Sequence, residues 1–526
     1  MSGDPNAPAG KHQSIWNATA TMPARAPLAQ DLQTDACVVG AGIAGLTTAY
    51  LLAQSGRSVA VLEAGRLASG MTQVTTAHLM SAIDDRYFEI ERMHGRKGAR
   101  LAAQSHSAAI DQIEAIVHRE GIDCDFQRLD GYLFLGPEHS EDMLDRELAA
   151  AQRAGLTTVE KIPRAPLASF DTGPCLRFPN QGQFHPLKYL TGLVKAIERD
   201  GGKIFTDTRV DEVESGSPAR LKVGDHSVTA GAVVIATNTP INDLVVIHTK
   251  QKAYMTYVVG ARIARGAVTK ALYWDTHDPY HYVRLQSMDN GAAGAAVGSD
   301  WDLLIVGGED HKTGQADDTF ERYRRLEDWA RARFPVESIE FYWAGQVMET
   351  IDGLAMIGHN PLDKENIFVA TGDSGMGMTH GTIAGMLLSD MIQGRENPWT
   401  TLYDPSRTPL RAPGEYAKET LNMAAQYTDW LTGGDVSSVD EIANDSGAVL
   451  RSGLTKVAVY RDQAGKLHER SAICPHLGCI VAWNPSEKTW DCPCHGSRFD
   501  KLGKVINGPA NSDLTEKHLA TDEDAN

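Results

Sequence analysis

Short apolar runs recur through the first two thirds of the chain, each followed by a polar or glycine-rich turn, the pattern of buried strands. Residues 36–39 form one such run. A glycine turn, a helix over about 44–55 and a second run at 58–62 come next, which predicts a βαβ start. Charged sequence with helical periodicity covers 86–120, mixed strands and turns extend to about 182, and a further helix is expected over 187–200. The alternating stretch 203–214 reads as strand, and 232–236 (AVVIA) as a buried strand ending in polar Thr237 and Asn238. Strand-rich sequence continues to 307, a helix covers 317–333, and the buried strand 367–370 enters GDSGMGMTHG before another helix. Parallel-sheet pieces thus stand at the beginning, middle and end of this region. That interleaving predicts one sheet domain with a second domain inserted into it.

Residues 1–30, rich in Ala, Pro and polar side chains, read as an N-terminal arm, and 31–400 as the interleaved double domain. Pro405, Pro409, Pro413, Gly433 and Gly434 mark 401–438 as a linker carrying one helix at 415–430. A separate domain, 439–526, reads as short strands (448–452, 456–461, 468–472) and turns without a clear helix, ending in an acidic, solvated tail.

Composition narrows the class. The 526 residues are 42% hydrophobic and 22% charged, an ordinary globular balance that excludes disorder, collagen and a disulfide-dense miniprotein. A net charge of −18 argues against a binder of nucleic-acid backbones. The N-terminus lacks a basic region followed by an apolar run, and the most apolar stretch, 36–53, is broken by Gly40, Gly42 and Gly45. A cytoplasmic protein with no membrane span is therefore expected.

VVGAGIAG puts Gly40, Gly42 and Gly45 in G-x-G-x-x-G spacing between an apolar strand and a helix: a tight turn, a backbone close to pyrophosphate, and a helix packed on a strand. Eighteen residues after Gly45, at the end of the next strand, stands Glu63, whose carboxylate can accept from an adenosine ribose. The motif with its strands and acid is a dinucleotide site. With the sequence that follows Glu63, the chain is similar to the flavin amine oxidase and D-amino-acid oxidase-like (DAO) superfamily. The segments EAGRLASG, GQFHPLKYLTGLVKAI, TRVDEVE, VVIATN, YHYVRL, WAGQVMETIDGLAMIG and FVATGDSGMGMTHGTIAGMLLSDMI fall in that superfamily's order, and the likeness spans 35–393. The resemblance implies FAD, with Ser69 and Gly70 near the pyrophosphate, the Val210 backbone at the adenine, and Gly372, Gly375 and Gly377 in a loop at the pyrimidine edge of the flavin. A helix N-terminus there favours negative charge on reduced flavin.

The seven cysteines divide unevenly. Cys37, Cys124 and Cys175 are scattered, as packing thiols are; Cys474, Cys479, Cys492 and Cys494 crowd together. CPHLGC and CPCHGS supply Cys474-x-His476 and Cys492-x-x-His495, with fifteen residues between His476 and Cys492, which is metal-ligand spacing. A tetrahedral zinc site is one reading. The pattern C-x-H with C-x-x-H resembles the Rieske [2Fe-2S] family, in which two cysteines hold one iron and two histidines the other. That resemblance implies a Cys479–Cys494 disulfide tying the two loops, and histidines at the domain tip as a natural exit for electrons. Ser497 matches the family's serine donor to a cluster sulfide. Phe499 stands where high-potential members carry tyrosine, which implies a lower midpoint than that of the respiratory proteins.

Arg284 in YHYVRL follows the position where several amino-acid-oxidising relatives place a substrate-facing arginine, and it is expected either to clamp a substrate carboxylate or to serve as a structural ion pair. His78 lies near where dimethylglycine dehydrogenase-like enzymes carry a flavin-linked histidine. Tyr254, Tyr257, Tyr280 and Tyr282 are candidates for a pocket wall or a core. Asp373 and His380 are candidates to tune the flavin.

The chain as a whole resembles DAO-type oxidoreductases fused to a C-terminal Rieske domain. The resemblance implies an α/β FAD-binding Rossmann-like domain, an interleaved α+β substrate domain and an all-β Rieske domain. It implies an enzyme acting on CH–NH or CH–NH2 groups of a small amine or amino acid: hydride passes to flavin, water hydrolyses the imine, and electrons go singly through the cluster to an external acceptor. An oxygen-using amine oxidase with a structural Rieske domain, and an electron-transfer component without an organic substrate of its own, are the alternatives.

Overall fold

A computed structural model of the chain describes residues 10–242, 247–288, 300–408, 422, 426–430, 433–453 and 455–519. The acidic tail, most of the linker helix expected at 415–430 and the first nine residues lie outside these; Tyr427–Trp430 forms a single 3₁₀ turn.

The strand Leu32–Val39 is the centre of an eight-stranded sheet. In spatial order its main path is Met356–His359, Ile367–Thr371, His226–Ile235, Leu32–Val39, Val59–Leu62 and Lys203–Phe205. All neighbours but the first pair run parallel, with Val38 beside Val234 on one side and Val61 on the other. The four residues of Val59–Leu62 are all buried, as expected of strands covered on both faces. The helices Ile43–Gln54, Pro186–Arg199 and Gly377–Ile392 pack on this sheet and share its core.

The inserted domain is a ten-stranded sheet built around the long strands Gln251–Ala264, Trp301–Lys312 and Ser338–Thr350. The helix Thr319–Arg333 covers one face with Tyr323, Leu326 and Ala330. Tyr87–Glu120 runs for 34 residues as expected and is broken at Gly95, whose φ of 71° leaves the helical region. The N-terminal arm is not free: Lys11–His12 adds a parallel edge strand to Ser338–Thr350, and Trp16 is wholly buried.

The C-terminal domain consists of a three-stranded and a four-stranded antiparallel sheet with its own small core, in which Cys474, Cys479 and Cys492 take part. Among the described residues, no helix is long and apolar enough to cross a membrane.

Candidate active site and cluster site

A cavity of about 640 Å³ opens along the C-terminal ends of the parallel strands, where α/β sheets place their ligands. Glu63 follows Val59–Leu62, Gly40 follows Leu32–Val39, Asn238 lies beyond His226–Ile235, and the Gly372–Gly377 loop follows Ile367–Thr371. These strands are successive neighbours, so the two ends of the cavity stand three strand spacings apart, roughly 14 Å.

At the Glu63 end, Gly40 has φ +105°, and a Cβ on Gly45 would overlap the Gly40 carbonyl oxygen and lie 3.1 Å from its carbon. Loop and helix therefore touch, and the N-terminus of Ile43–Gln54, capped at Gly42, lines the cavity with Gly42, Ile43 and Ala44, where helix amides favour an anion. Glu63 steadies the loop: Oε2 accepts from the Ala41 N–H (2.8 Å) and Oε1 from the Gly65 N–H (2.9 Å). Burial raises its pKa, and those amides oppose the rise. A carboxylate has further lone pairs for a ribose hydroxyl. Ser69 and Val210 also line this end. The Val210 carbonyl accepts from Asn511 Nδ2 (3.0 Å), and residues 504–508 of the C-terminal domain contribute to the wall. A long cradle with an acid at one end and amides in the middle fits FAD, whose adenosine and pyrophosphate Glu63 and the glycine turn would hold.

The other end differs in its side chains. Gly372, Gly375 and Gly377 line it with Asp373 and His380, joined by Asp84, Thr256, Trp274, Tyr280, Tyr282 and Asp310. Tyr280 donates to Asp84 Oδ2 (3.1 Å), and the hydroxyls of Tyr282 and Thr256 lie 2.7 Å apart. Asp84 abuts the glycine loop, since a Cβ on Gly375 would overlap its carboxylate. Burial pushes Asp84 up to about 6, and Asp310 and Asp373 to about 7. One oxygen each of Asp310 and Asp373 is buried with no hydrogen-bond partner. Among the described residues, the lysines and arginines of the wall are Arg66, Arg209 and Lys504, which cluster by Glu63 and Val210. The end lined by the glycine loop is thus carboxylate-rich and holds none. His78 and His380 line the cavity, but burial pushes them down to about 3 and about 4, which makes them neutral. His78 is engaged by Thr76 Oγ1 (3.0 Å) and the Val283 carbonyl (3.3 Å). Tyr257 instead packs on Tyr323 in the second core, and Tyr254 is absent from the lining.

Arg284 corrects the carboxylate-clamp expectation. It is fully buried outside the cavity wall, donating Nη1 to the carbonyls of Thr76, Ala77 and Phe184 (3.0–3.1 Å) and Nη2 to Gln286 Oε1 (2.7 Å). The Trp16 ring lies 5.2 Å from its guanidinium. Its Nη1 is taken up by backbone carbonyls and its Nη2 by Gln286, so from its place outside the cavity wall it ties the arm and two loops together.

In the C-terminal domain, two loops face each other. Cys479 and Cys494 are joined by a disulfide (Cα–Cα 6.4 Å), which removes both as ligands. Cys474 and Cys492 remain free thiols in mutual contact; contact with Cys492 holds Cys474 below the usual thiol range, and the same contact pushes Cys492 up. Backbone N–H groups of His476 and Leu477 point at the Cys474 sulfur, those of Cys494 and His495 at the Cys492 sulfur, and the Ser497 hydroxyl also faces Cys474. The imidazoles of His476 and His495 stand 4.9 Å apart at 87°, and His495 Nδ1 is buried with no hydrogen-bond partner, as a ligand atom awaiting metal would be. Two thiolates with amide donors opposite two imidazoles suit a [2Fe-2S] cluster with mixed ligation. Phe499, fully buried, brings no hydroxyl.

What sequence reasoning missed is the pair Asp84 and Asp310, which belong to no motif, and His248. The His248 ring is buried 4.9 Å from that of His476 and 5.9 Å from that of His495.

Comparison with known proteins bears on both sites. The FAD dependent oxidoreductase (DAO) family matches residues 35–391, and the Rieske [2Fe-2S] domain matches 432–518. YhfW of Bacillus subtilis (strain 168), named as a Rieske 2Fe-2S iron-sulfur protein, is 32% identical over 515 residues, covering 96% of this chain and 98% of that one. Gamma-glutamylputrescine oxidoreductase of Escherichia coli (strain K12) is 26% identical over 70% of this chain and 85% of its own length. Glycine oxidase from Geobacillus kaustophilus superposes with a TM-score of 0.58 at 19% identity, over 72% of this chain and 99% of that one, a likeness of fold.

Proposed function

We propose, for a chain that belongs to the DAO family of FAD-dependent oxidoreductases and ends in a Rieske [2Fe-2S] domain, that it dehydrogenates a small cationic amine and passes the electrons singly through the cluster to an external acceptor. FAD supplies a two-electron acceptor and the cluster a one-electron carrier. Oxidation of a CH–NH2 group to an imine releases two electrons and two protons, so each turnover needs two passes through the cluster, and water then hydrolyses the imine.

The observation that carries the substrate class is the set Asp84, Asp310 and Asp373 at the end of the cavity lined by the glycine loop; the cations that act on them, Arg86 on Asp84 and Arg322 on Asp310, stand outside the described wall. Ionised, they attract an ammonium group and repel a carboxylate. Tyr280 and Tyr282 present aromatic walls that suit a cation. The name of gamma-glutamylputrescine oxidoreductase likewise points to an amine for that relative. An α-amino acid would bring its carboxylate to this end without an arginine to receive it.

These carboxyls fix the sign of the pH dependence. Asp84 at about 6, and Asp310 and Asp373 at about 7, are neutral below those values and charged above them. For a cationic amine, kcat/KM is expected to rise as pH increases from about 5 to about 8. Asp310→Asn is expected to raise KM on the order of 30-fold, the lower end of the cost of removing one partner of a buried charge pair, and to flatten that rise. Steady-state kinetics with a panel of diamines and amino acids checks both. A preference for amino acids, or an unchanged KM in Asp310→Asn, refutes the substrate class.

A further inference from the structure

The cluster loops are turned inward. His495 is 4% exposed, and its loop lies against the oxidoreductase domain rather than at a free tip, so the expectation that both histidines mark an exit does not hold for His495. Three contacts define the seat. Gln346, which lines the flavin cavity, donates Nε2 to the carbonyl of Gly496, the residue after His495 (2.8 Å). His248, 1% exposed, sets its ring edge-on to both cluster-loop histidines. Gln315 donates Nε2 to the Pro493 carbonyl (3.0 Å).

The seat is also close-packed. A Cβ on Gly496 would overlap Ala253 Cβ, and one on Gly314 would lie 2.8 Å from the Asp491 carbonyl oxygen and 2.9 Å from Pro493 N. Far from the loops, the domain is clamped again: Asn511 on Val210, and Glu487 between His12 (3.1 Å) and Tyr323 (3.1 Å). A domain that left its dock at each turnover would have to break contacts at both ends and regain a fit with no room for a methyl group.

We propose that Gln346, which lines the flavin cavity, and His248, packed on the two cluster-loop histidines, hold those loops in a fixed dock on the oxidoreductase domain, so that electrons enter the cluster within one chain and without a swing of the C-terminal domain. This rests on the two-centre reading above and adds the entry side and its residues. The two electrons left on FAD by each amine pass one at a time, their protons go to solvent, and each electron leaves to a one-electron acceptor outside the chain. Exposed Pro475 and Leu477, on either side of half-buried His476, mark the face of that loop that remains open to the acceptor.

The test uses the full-length holoenzyme and no amine. Flavin is photoreduced anaerobically with EDTA as sacrificial donor, and cluster reduction is followed by electron paramagnetic resonance and visible absorbance. In the wild type the transfer rate is expected to be unchanged as glycerol raises the viscosity. His248→Phe is expected to keep its iron, shift the g-values of the reduced cluster and slow transfer by about tenfold or more; Gln346→Leu is expected to slow it with the g-values intact. A rate that falls in proportion to viscosity, or a His248→Phe protein with wild-type g-values and rate, overturns the fixed dock. Absence of any flavin-to-cluster transfer in the wild type overturns the two-centre reading itself, whichever amine is the substrate.

Discussion

A Cys492→Ser chain is expected to retain FAD and lose its cluster completely. Cys492 is 1% exposed, and the N–H groups of Cys494 and His495 converge on its sulfur, an arrangement that stabilises a metal-bound thiolate. A serine hydroxyl is a hard, weakly acidic donor that leaves one iron short of a ligand. The loops themselves survive, because the Cys479–Cys494 disulfide still ties them and the small core still contains Trp490 and Phe499. Iron content and the reduced-cluster resonance are expected to fall to zero while the flavin spectrum persists. The contrast is with the other free thiols: burial pushes Cys37, Cys124 and Cys175 up to about 12, about 12 and about 11, and serine there is expected to leave both centres loaded. A Cys492→Ser protein with a full complement of iron would refute the ligand assignment.

Gly45→Ala is expected to give a protein that does not hold FAD. The added methyl would overlap the Gly40 carbonyl oxygen and press on Val38 Cγ1 at 3.2 Å, so the helix Ile43–Gln54 must retreat from the loop. That retreat withdraws the N-terminal amides from the pyrophosphate and strains the contact of Ala41 N–H with Glu63. FAD affinity is expected to fall on the order of a hundredfold or more, about 2.7 kcal/mol, with the flavin lost on desalting. The retained flavin per chain, read by absorbance, checks it. The C-terminal domain has its own core, so the cluster is expected to remain.

Legibility in the sequence followed the range of each physical constraint. The βαβ start and the cluster loops were readable because their demands are local: Gly40 and Gly45 must pass close to one another, and thiol and imidazole ligands must sit one or two residues apart. The long helix shows in its periodicity, and the strands around 232–236 and 367–370 in their short apolar runs, for the same reason. Asp84 and Asp310 were not readable, since a turn and a distant strand bring them together only in the tertiary structure. Arg284 shows the converse. Its strand position invited a substrate role, yet the carbonyls of Thr76, Ala77 and Phe184, remote in sequence, take up its Nη1 outside the cavity wall. His248 lies in a stretch without motif, and its place beside two cluster-loop histidines comes from domain docking, which no local pattern encodes.

The most direct test of the two-centre account is anaerobic stopped-flow mixing of the fully loaded protein with a diamine, following flavin and cluster together. The expected course is bleaching of the flavin band and then reduction of the cluster in the same molecules, before any external acceptor is added. Flavin that bleaches while the cluster stays oxidised would contradict the electron path, and flavin untouched by every amine tried would contradict the proposed reaction.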